Sequence, residues 1–151
     1  MNNNIIFIGG FENTGTRLVV MFLQRLGYIT KNTNSELDYL DATFLELFDE
    51  YYFTDNYSGI INNINNDFKD NSNVVIKHGH LCFLNKKLKL HYPNCKNILC
   101  IRHPLDILVK SSHNYERYGN CSSWSPSLLE KINHLNKWYS DEIVESSDVI
   151  I

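Results

Sequence analysis

The sequence has little of what would place it in several common protein classes. Its formal net charge is only -3 over 151 residues, so no overall field draws it to nucleic acid or to an anionic membrane, and a bound anion needs a local cluster of donors. No apolar run is long enough to cross a bilayer, and asparagines occupy positions 2–4, where a secretory leader carries basic residues. We therefore expect a cytoplasmic protein with neither nucleic-acid nor membrane partners.

Metal and disulfide signatures are also missing. The four cysteines form no CxxC pair and lack the spacing of zinc ligands; they are Cys82, Cys95, Cys100 and Cys121. Three of them lie in apolar runs, which predicts buried, reduced thiols. We expect no resident metal.

Short apolar runs alternate with helical patterns along the chain. The run at 5–8 predicts a strand that is buried on both faces, and the run at 74–76 predicts a second buried strand. Two further strands are predicted at 97–101 and 148–151. Helices are predicted at 18–26, 35–53, 81–90, 104–118 and 126–145, and segment 57–68 also has apolar residues at helical spacing. This alternation favours one α/β domain, with a parallel sheet flanked by helices.

The strongest local signal is the segment IIFIGGFENTGTRLVV, a buried strand followed by a loop and a helix, and the apolar run at 18–26 predicts that this helix is short and well buried. Gly10 and Gly15 frame a GxxxxG pattern, which turns backbone N–H groups towards an anion at the start of the helix. Thr14 and Thr16 add hydroxyl donors, and Arg17 can pair with a phosphate or sulfate. The alternative is an ordinary strand-to-helix turn in which Thr14 is the N-cap.

The loop lacks two parts of a nucleoside triphosphatase P-loop. In GxxxxGK[ST], Thr16 falls at the lysine and Arg17 at the hydroxyl residue that binds Mg²⁺. Phosphoryl transfer from ATP depends on both. A small P-loop kinase is therefore an alternative that the pattern disfavours.

Two further strand ends carry polar residues. The segment NILCIRHPLDILVKSSHNYERYG places Arg102 where the third strand ends, facing the ligand crevice of an open α/β sheet. The alternative for Arg102 is a surface ion pair with Asp106. The second strand ends VVIKHGHL, where Lys77 can stabilise developing negative charge and His78 or His80 can act as a base.

Together these segments resemble the sulfotransferases that use 3′-phosphoadenosine 5′-phosphosulfate. In that family the first loop has the form [RK]SGTT and holds the 5′-phosphosulfate. Its counterpart here comprises Asn13, Thr14, Gly15, Thr16 and Arg17. The family's basic residue falls on Asn13, and Arg17 is the candidate to replace its charge.

The resemblance also covers the other two strand ends. In the family, an arginine and a serine bind the 3′-phosphate; the arginine matches Arg102, while the serine position falls on Lys110, with Ser111 next. The resemblance implies Lys77 as the catalytic cation and His80, which precedes a leucine as the family histidine does, as the general base. Glu12 is a second candidate base.

The resemblance implies a P-loop nucleotide-kinase-like three-layer sandwich that transfers a sulfuryl group, without metal, to a hydroxyl or amine of a small molecule or glycan. Residues 1–151 would form one sulfotransferase-like domain that lacks the family's usual C-terminal part. An inactive nucleotide-binding or interaction module is the main alternative. Trp124, Trp138 and Tyr139 are candidates for adenine stacking or for core packing, and the sheet edge at 149–151 invites pairing with a second copy.

Overall fold

The computed structural model describes residues 4–10, 14–31, 39, 57–107, 136 and 139–151. Within these residues, four parallel strands form one sheet in the order β2-β1-β3-β4. The strands are β1 (Asn4–Gly10), β2 (Asn73–Lys77), β3 (Lys96–Cys100) and β4 (Val149–Ile150). The predicted strand runs and their parallel arrangement are confirmed.

The first strand lies at the centre of the sheet. It pairs with β2 from Asn4 to Ile8 and with β3 from Ile6 to Gly10. On the far side of β2, Ile29 forms a parallel bridge to Val74, in which the Ile29 N–H donates to the Asn73 carbonyl at 3.0 Å. The chain therefore leaves β1 towards the β2 side and later returns to place β3 on the other side of β1.

Helices pack on both faces of this sheet. They are α1 (Thr16–Arg25), α2 (Ser58–Phe68), a 3₁₀ helix (Gly79–Leu84), α3 (Asn85–His91) and α4 (Asp141–Ser146). On one face, Val20 of α1 packs with Ile8 and Val75. On the other face, α2, the 3₁₀ helix and α3 bury Phe7 and Ile76. The fold is thus α/β with helices above and below the sheet.

The prediction that α1 is a well-buried helix is wrong. Its buried residues are Thr16, Val20 and Leu23, whereas Leu18 is 71% exposed and Phe22 60% exposed. The apolar residues of α1 surround the whole helix, and such a pattern predicts burial on every side. Only the side against the sheet is covered within the described residues.

Two other predicted helices differ from the structure. Segment 81–90 is not one helix, because the 3₁₀ helix ends at Leu84 and α3 begins at Asn85. The helix predicted to run to Glu145 is interrupted at Ser140, whose extended backbone (φ -65°, ψ 147°) precedes α4. In contrast, helical spacing in segment 57–68 correctly predicts α2. The predicted helix at 35–53 lies outside the described residues apart from Tyr39.

The predicted state of the cysteines is confirmed where the structure describes them. Cys82, Cys95 and Cys100 are buried and form no disulfide. Burial raises the pKa of Cys82 to about 12 and those of Cys95 and Cys100 to about 11, so these thiols stay protonated at neutral pH. No helix in the described part of the chain is long and apolar enough to cross a membrane.

Candidate functional site

Three adjacent strands end at the same edge of the sheet, and each end carries a predicted site residue or loop. Gly10 ends β1, Lys77 ends β2, and Arg102 follows β3 by two residues. The chain leaves β1 through α1 on one face, whereas the segment after β3 places Ile107 against the other face. In open α/β sheets, such a change of direction creates the crevice in which ligands bind.

The backbone at Gly10 requires glycine. Its φ of +148° is one that other residues rarely adopt. A Cβ atom there would lie 2.5 Å from the Cys100 carbonyl oxygen and 2.9 Å from Oγ1 of Thr14. The end of β1 thus fits tightly between β3 and the loop that leads into α1. Asn13 and Glu12 lie outside the described residues.

The N-terminus of α1 differs from the alternative interpretation of the sequence. The N-cap residue is Gly15, not Thr14, and its backbone is left-handed (φ 92°, ψ 7°). No side chain within the described part of the chain forms a capping hydrogen bond there. A Cβ atom on Gly15 would meet no atom of the described residues within 4 Å, apart from its chain neighbours. The first turn of α1, with the partial positive charge of its N–H groups, therefore lies at the sheet edge, and no described residue other than its chain neighbours packs on the N-cap.

The two residues after Gly15 have different environments. Thr16 is buried, at 9% exposure, and its side chain therefore belongs to the packed side of α1. Arg17 is exposed beside the same turn. Of these two predicted loop donors, Arg17 is the one whose side chain is accessible to a ligand.

Lys77 is a buried cation at this edge, with an exposure of 6%. Side chains alternate along a strand, so Lys77 projects to the same face as Val75, which packs against α1. The pKa of Cys100, raised by burial, is lowered in part by the positive charge of Lys77. Lys77 therefore lies on the face that α1 covers, close enough to the end of β3 for its charge to act on the Cys100 thiol.

The histidines lie near the other face of the sheet, where the 3₁₀ helix packs. His80 is in the first turn of the 3₁₀ helix, whose Cys82 packs so closely on Gly9 that a Cβ atom there would be 2.7 Å from the Cys82 Cβ. His78 is buried, and burial, the charge of His80 and the charge of Lys77 lower its pKa to about 3. A histidine that stays neutral so strongly is a poor base at neutral pH. The half-buried His80 is the better candidate.

Arg102 has the surface partner that the alternative interpretation names. Its Nε lies 3.8 Å from Oδ2 of Asp106, and both side chains are partly exposed. The Arg102 backbone is held by Tyr139, whose hydroxyl donates to the Arg102 carbonyl at 2.9 Å and accepts from its N–H at 3.3 Å. Tyr139 also packs against the cluster of Cys82 and Leu99, as the packing interpretation predicts.

The structure thus brings together, at one sheet edge, every predicted site residue that it describes. These residues are Thr14, Gly15, Thr16, Arg17, Lys77, His80 and Arg102. Asn13, Lys110 and Ser111 lie outside the described residues, as do Trp124 and Trp138. Sequence reasoning missed the contact of Gly9 with Cys82 and the anchor that Tyr139 provides for Arg102. The Gly9–Gly10 pair was a signal for the first; nothing local signals the second.

A cavity of about 300 Å³ lies at the opposite edge of the sheet. The helices α2 and α3 both end there, at Phe68 and His91. Both helices direct the partial negative charge of their C-termini towards this cavity, which suits an anion less well than a helix N-terminus does. We therefore place the candidate site at the edge with the α1 N-terminus. In the described part of the chain, no cluster of three or more acidic, histidine or cysteine side chains could hold a metal.

Comparisons with models of known protein families, with curated proteins and with solved structures find no match to this chain.

Two glycines that flank α1 offer a matched test of the anion site. Gly15 (φ 92°) and Gly27 (φ 88°) have similar left-handed backbones, and among the described residues a Cβ atom on either would have no neighbour within 4 Å. We expect Gly15→Ala and Gly27→Ala each to lower the free energy of unfolding by about 1–2 kcal/mol, the cost of a left-handed non-glycine residue. Only Gly15→Ala should weaken binding of pyrophosphate, which isothermal titration calorimetry measures. Equal affinities in the two variants would contradict the site.

Proposed function

We propose that this protein binds 3′-phosphoadenosine 5′-phosphosulfate and transfers its sulfuryl group to a hydroxyl or amine. One observation carries the proposal. The N-terminus of α1, which no described side chain caps, lies at the same sheet edge as the buried Lys77 of the neighbouring strand β2. Backbone N–H groups and a desolvated cation suit an anion whose charge grows as the transferred group leaves. The proposal includes a P-loop-like sandwich as the fold type.

The two faces of the sheet at β1 suit the two substrates, the phosphosulfate donor and the acceptor. Lys77 and Arg17 lie on the side of α1, where they would hold the phosphosulfate, and His80 lies on the side of the 3₁₀ helix. His80 would take the proton of the acceptor hydroxyl as its oxygen bonds to sulfur. The bond from sulfur to the phosphate oxygen breaks, and adenosine 3′,5′-bisphosphate leaves with the negative charge that Lys77 stabilises.

The ion pair of Arg102 with Asp106 does not prevent a ligand role for Arg102. A partly exposed ion pair contributes about 0–1 kcal/mol, whereas a charge-assisted contact to a phosphate contributes about 1.5–3 kcal/mol. Arg102 would therefore exchange Asp106 for a 3′-phosphate when the nucleotide binds. Lys110 or Ser111 would complete that contact.

We expect Arg102→Ala to weaken adenosine 3′,5′-bisphosphate by about 10- to 100-fold and to leave adenosine 5′-monophosphate almost unchanged, because only the former has a 3′-phosphate. Calorimetric titration of both ligands measures the difference. Asp106→Asn is the control: it removes the competing acid, so the bisphosphate should bind as well as before or better. Equal losses for both ligands in Arg102→Ala would place Arg102 elsewhere.

The direct test of the activity is transfer of radiolabelled sulfate from the donor to a panel of phenols, alcohols, amines and glycans. Transfer to any of them that stops in Lys77→Met supports the proposal. If the wild type binds the bisphosphate but labels no acceptor, the second candidate function is favoured. That candidate is a nucleotide-binding module without turnover, and the acid that faces Arg102 is the observation in its favour.

A further inference from the structure

Three aromatic rings form a column at the start of the 3₁₀ helix. The ring of His80 stacks on that of His78, with centroids 5.1 Å apart and planes 21° from parallel. On the 3₁₀ helix, Phe83 lies 6.2 Å from His80 at a tilt of 39°. Both distances fall within the range of favourable aromatic pairs. The imidazole of His80 therefore has two ring neighbours, one at the N-cap of the 3₁₀ helix and one on the helix itself.

The backbone of His78 is fixed from both directions. Its N–H donates to the Ile8 carbonyl at 3.1 Å, which extends the pairing of β2 with β1 by one residue. Its carbonyl accepts from the Leu81 N–H at 3.0 Å, which closes the first turn of the 3₁₀ helix. With only 8% of its surface exposed, the His78 side chain has little freedom to change rotamer. The His78 ring is thus held firmly at the sheet edge, and the His80 ring stacks on it.

The charge state of His78 suits a support beneath a base. Burial, the charge of His80 and the charge of Lys77 keep His78 neutral at the pH where a histidine base works. A neutral ring does not oppose the positive charge that His80 acquires when it takes a proton, whereas a second cation at this distance would. The same burial makes the free energy of unfolding smaller as the pH falls from about 6.5 towards 3. In that range the unfolded chain binds a proton at His78, whereas the folded protein does not.

We propose that His78 is a positioning residue that orients the imidazole of His80 towards the acceptor through the stacked ring pair. The proposal rests on the proposed function, in which His80 is the base. A base must lie within hydrogen-bond reach of its proton, and a displacement of about 1 Å can lower a rate by about 100-fold. His78 itself touches no reacting atom in this scheme.

Two variants test the role, because one keeps a ring and the other does not. We expect His78→Ala to lower kcat by about 10- to 100-fold with little change in KM for the donor, and His78→Phe to restore kcat to within about threefold of wild type. Thermal unfolding establishes which variants are folded. If His78→Phe is folded and as slow as His78→Ala, stacking is not what His78 provides and the proposal is overturned.

A spectroscopic readout separates this proposal from the proposed function. In the wild type, stacking on His78 should shift the His80 ring protons upfield, and His78→Ala should remove that shift while His78→Phe retains it. His80→Gln assigns the resonances. If the wild type transfers no sulfate, the shifts alone decide: their loss in His78→Ala supports the stacked arrangement. Unchanged His80 shifts in a folded His78→Ala protein contradict it, whatever the activity.

Discussion

Replacing Lys77 with methionine should lower sulfuryl transfer by about 100-fold or more and leave the protein as stable as before, or more stable. The two effects have one physical origin. Lys77 is only 6% exposed. Burying a charge costs free energy, and burying an apolar side chain of similar length does not. The same desolvated charge is worth most where negative charge develops in a reaction.

Lys86→Met is the matched control for this change. Lys86 is exposed and pairs with Glu142 at 3.1 Å, away from the strand ends. Its replacement should alter neither transfer nor the free energy of unfolding by a measurable amount. Urea unfolding and a transfer assay on the three proteins give the result. A Lys77→Met protein that is unstable and fully active would make Lys77 a structural residue.

Gly10→Ala should destabilise the fold by more than about 3 kcal/mol, far beyond the effect of Gly15→Ala. The added methyl group of Gly10→Ala meets a backbone carbonyl at 2.5 Å, which no rotamer change can relieve, and φ is +148°. Either β1 and β3 separate at the Gly10–Cys100 pair or the loop to α1 moves. Both outcomes disturb the candidate site.

Urea unfolding compares the two alanine variants directly. Gly15→Ala carries the backbone strain without the steric conflict, so the difference between the variants isolates the contact with Cys100 and Thr14. A difference below about 1 kcal/mol would mean that the loop accommodates a side chain at Gly10. The close junction of loop and strand would then be absent.

The strands and their parallel arrangement were predictable. Runs such as Val74–Ile76 are apolar without interruption, which is typical of a strand buried on both faces, and they alternate with helical segments. Because the C-terminal ends of parallel strands lie at the same edge of a sheet, Gly10, Lys77 and Arg102 were expected there together. The sequence did not indicate on which face of the sheet each of these side chains would lie. That depends on the pairing of Ile8 with Lys77 and on the face that α1 covers, which are both non-local.

Other features were hidden for the same reason. Whether the Arg102 backbone has a partner depends on Tyr139, which is 37 residues away in the chain. The exposed side of α1 could not be predicted, since Leu18 and Phe22 are indistinguishable by residue type from the buried Val20 and Leu23. In contrast, the ion pair of Arg102 with Asp106 was a predicted alternative, because the two residues are only four positions apart in the chain.

The central claim, that this sheet edge binds a 3′-phosphorylated adenine nucleotide without metal, is tested most directly by calorimetric titration. The wild-type protein would be titrated with adenosine 3′,5′-bisphosphate in the presence of a chelator, and separately with ATP and Mg²⁺. We predict saturable binding of the bisphosphate that is at least tenfold tighter than that of ATP with Mg²⁺. No binding of the bisphosphate at millimolar concentration by a folded sample, or tighter binding of ATP with Mg²⁺, would contradict the account.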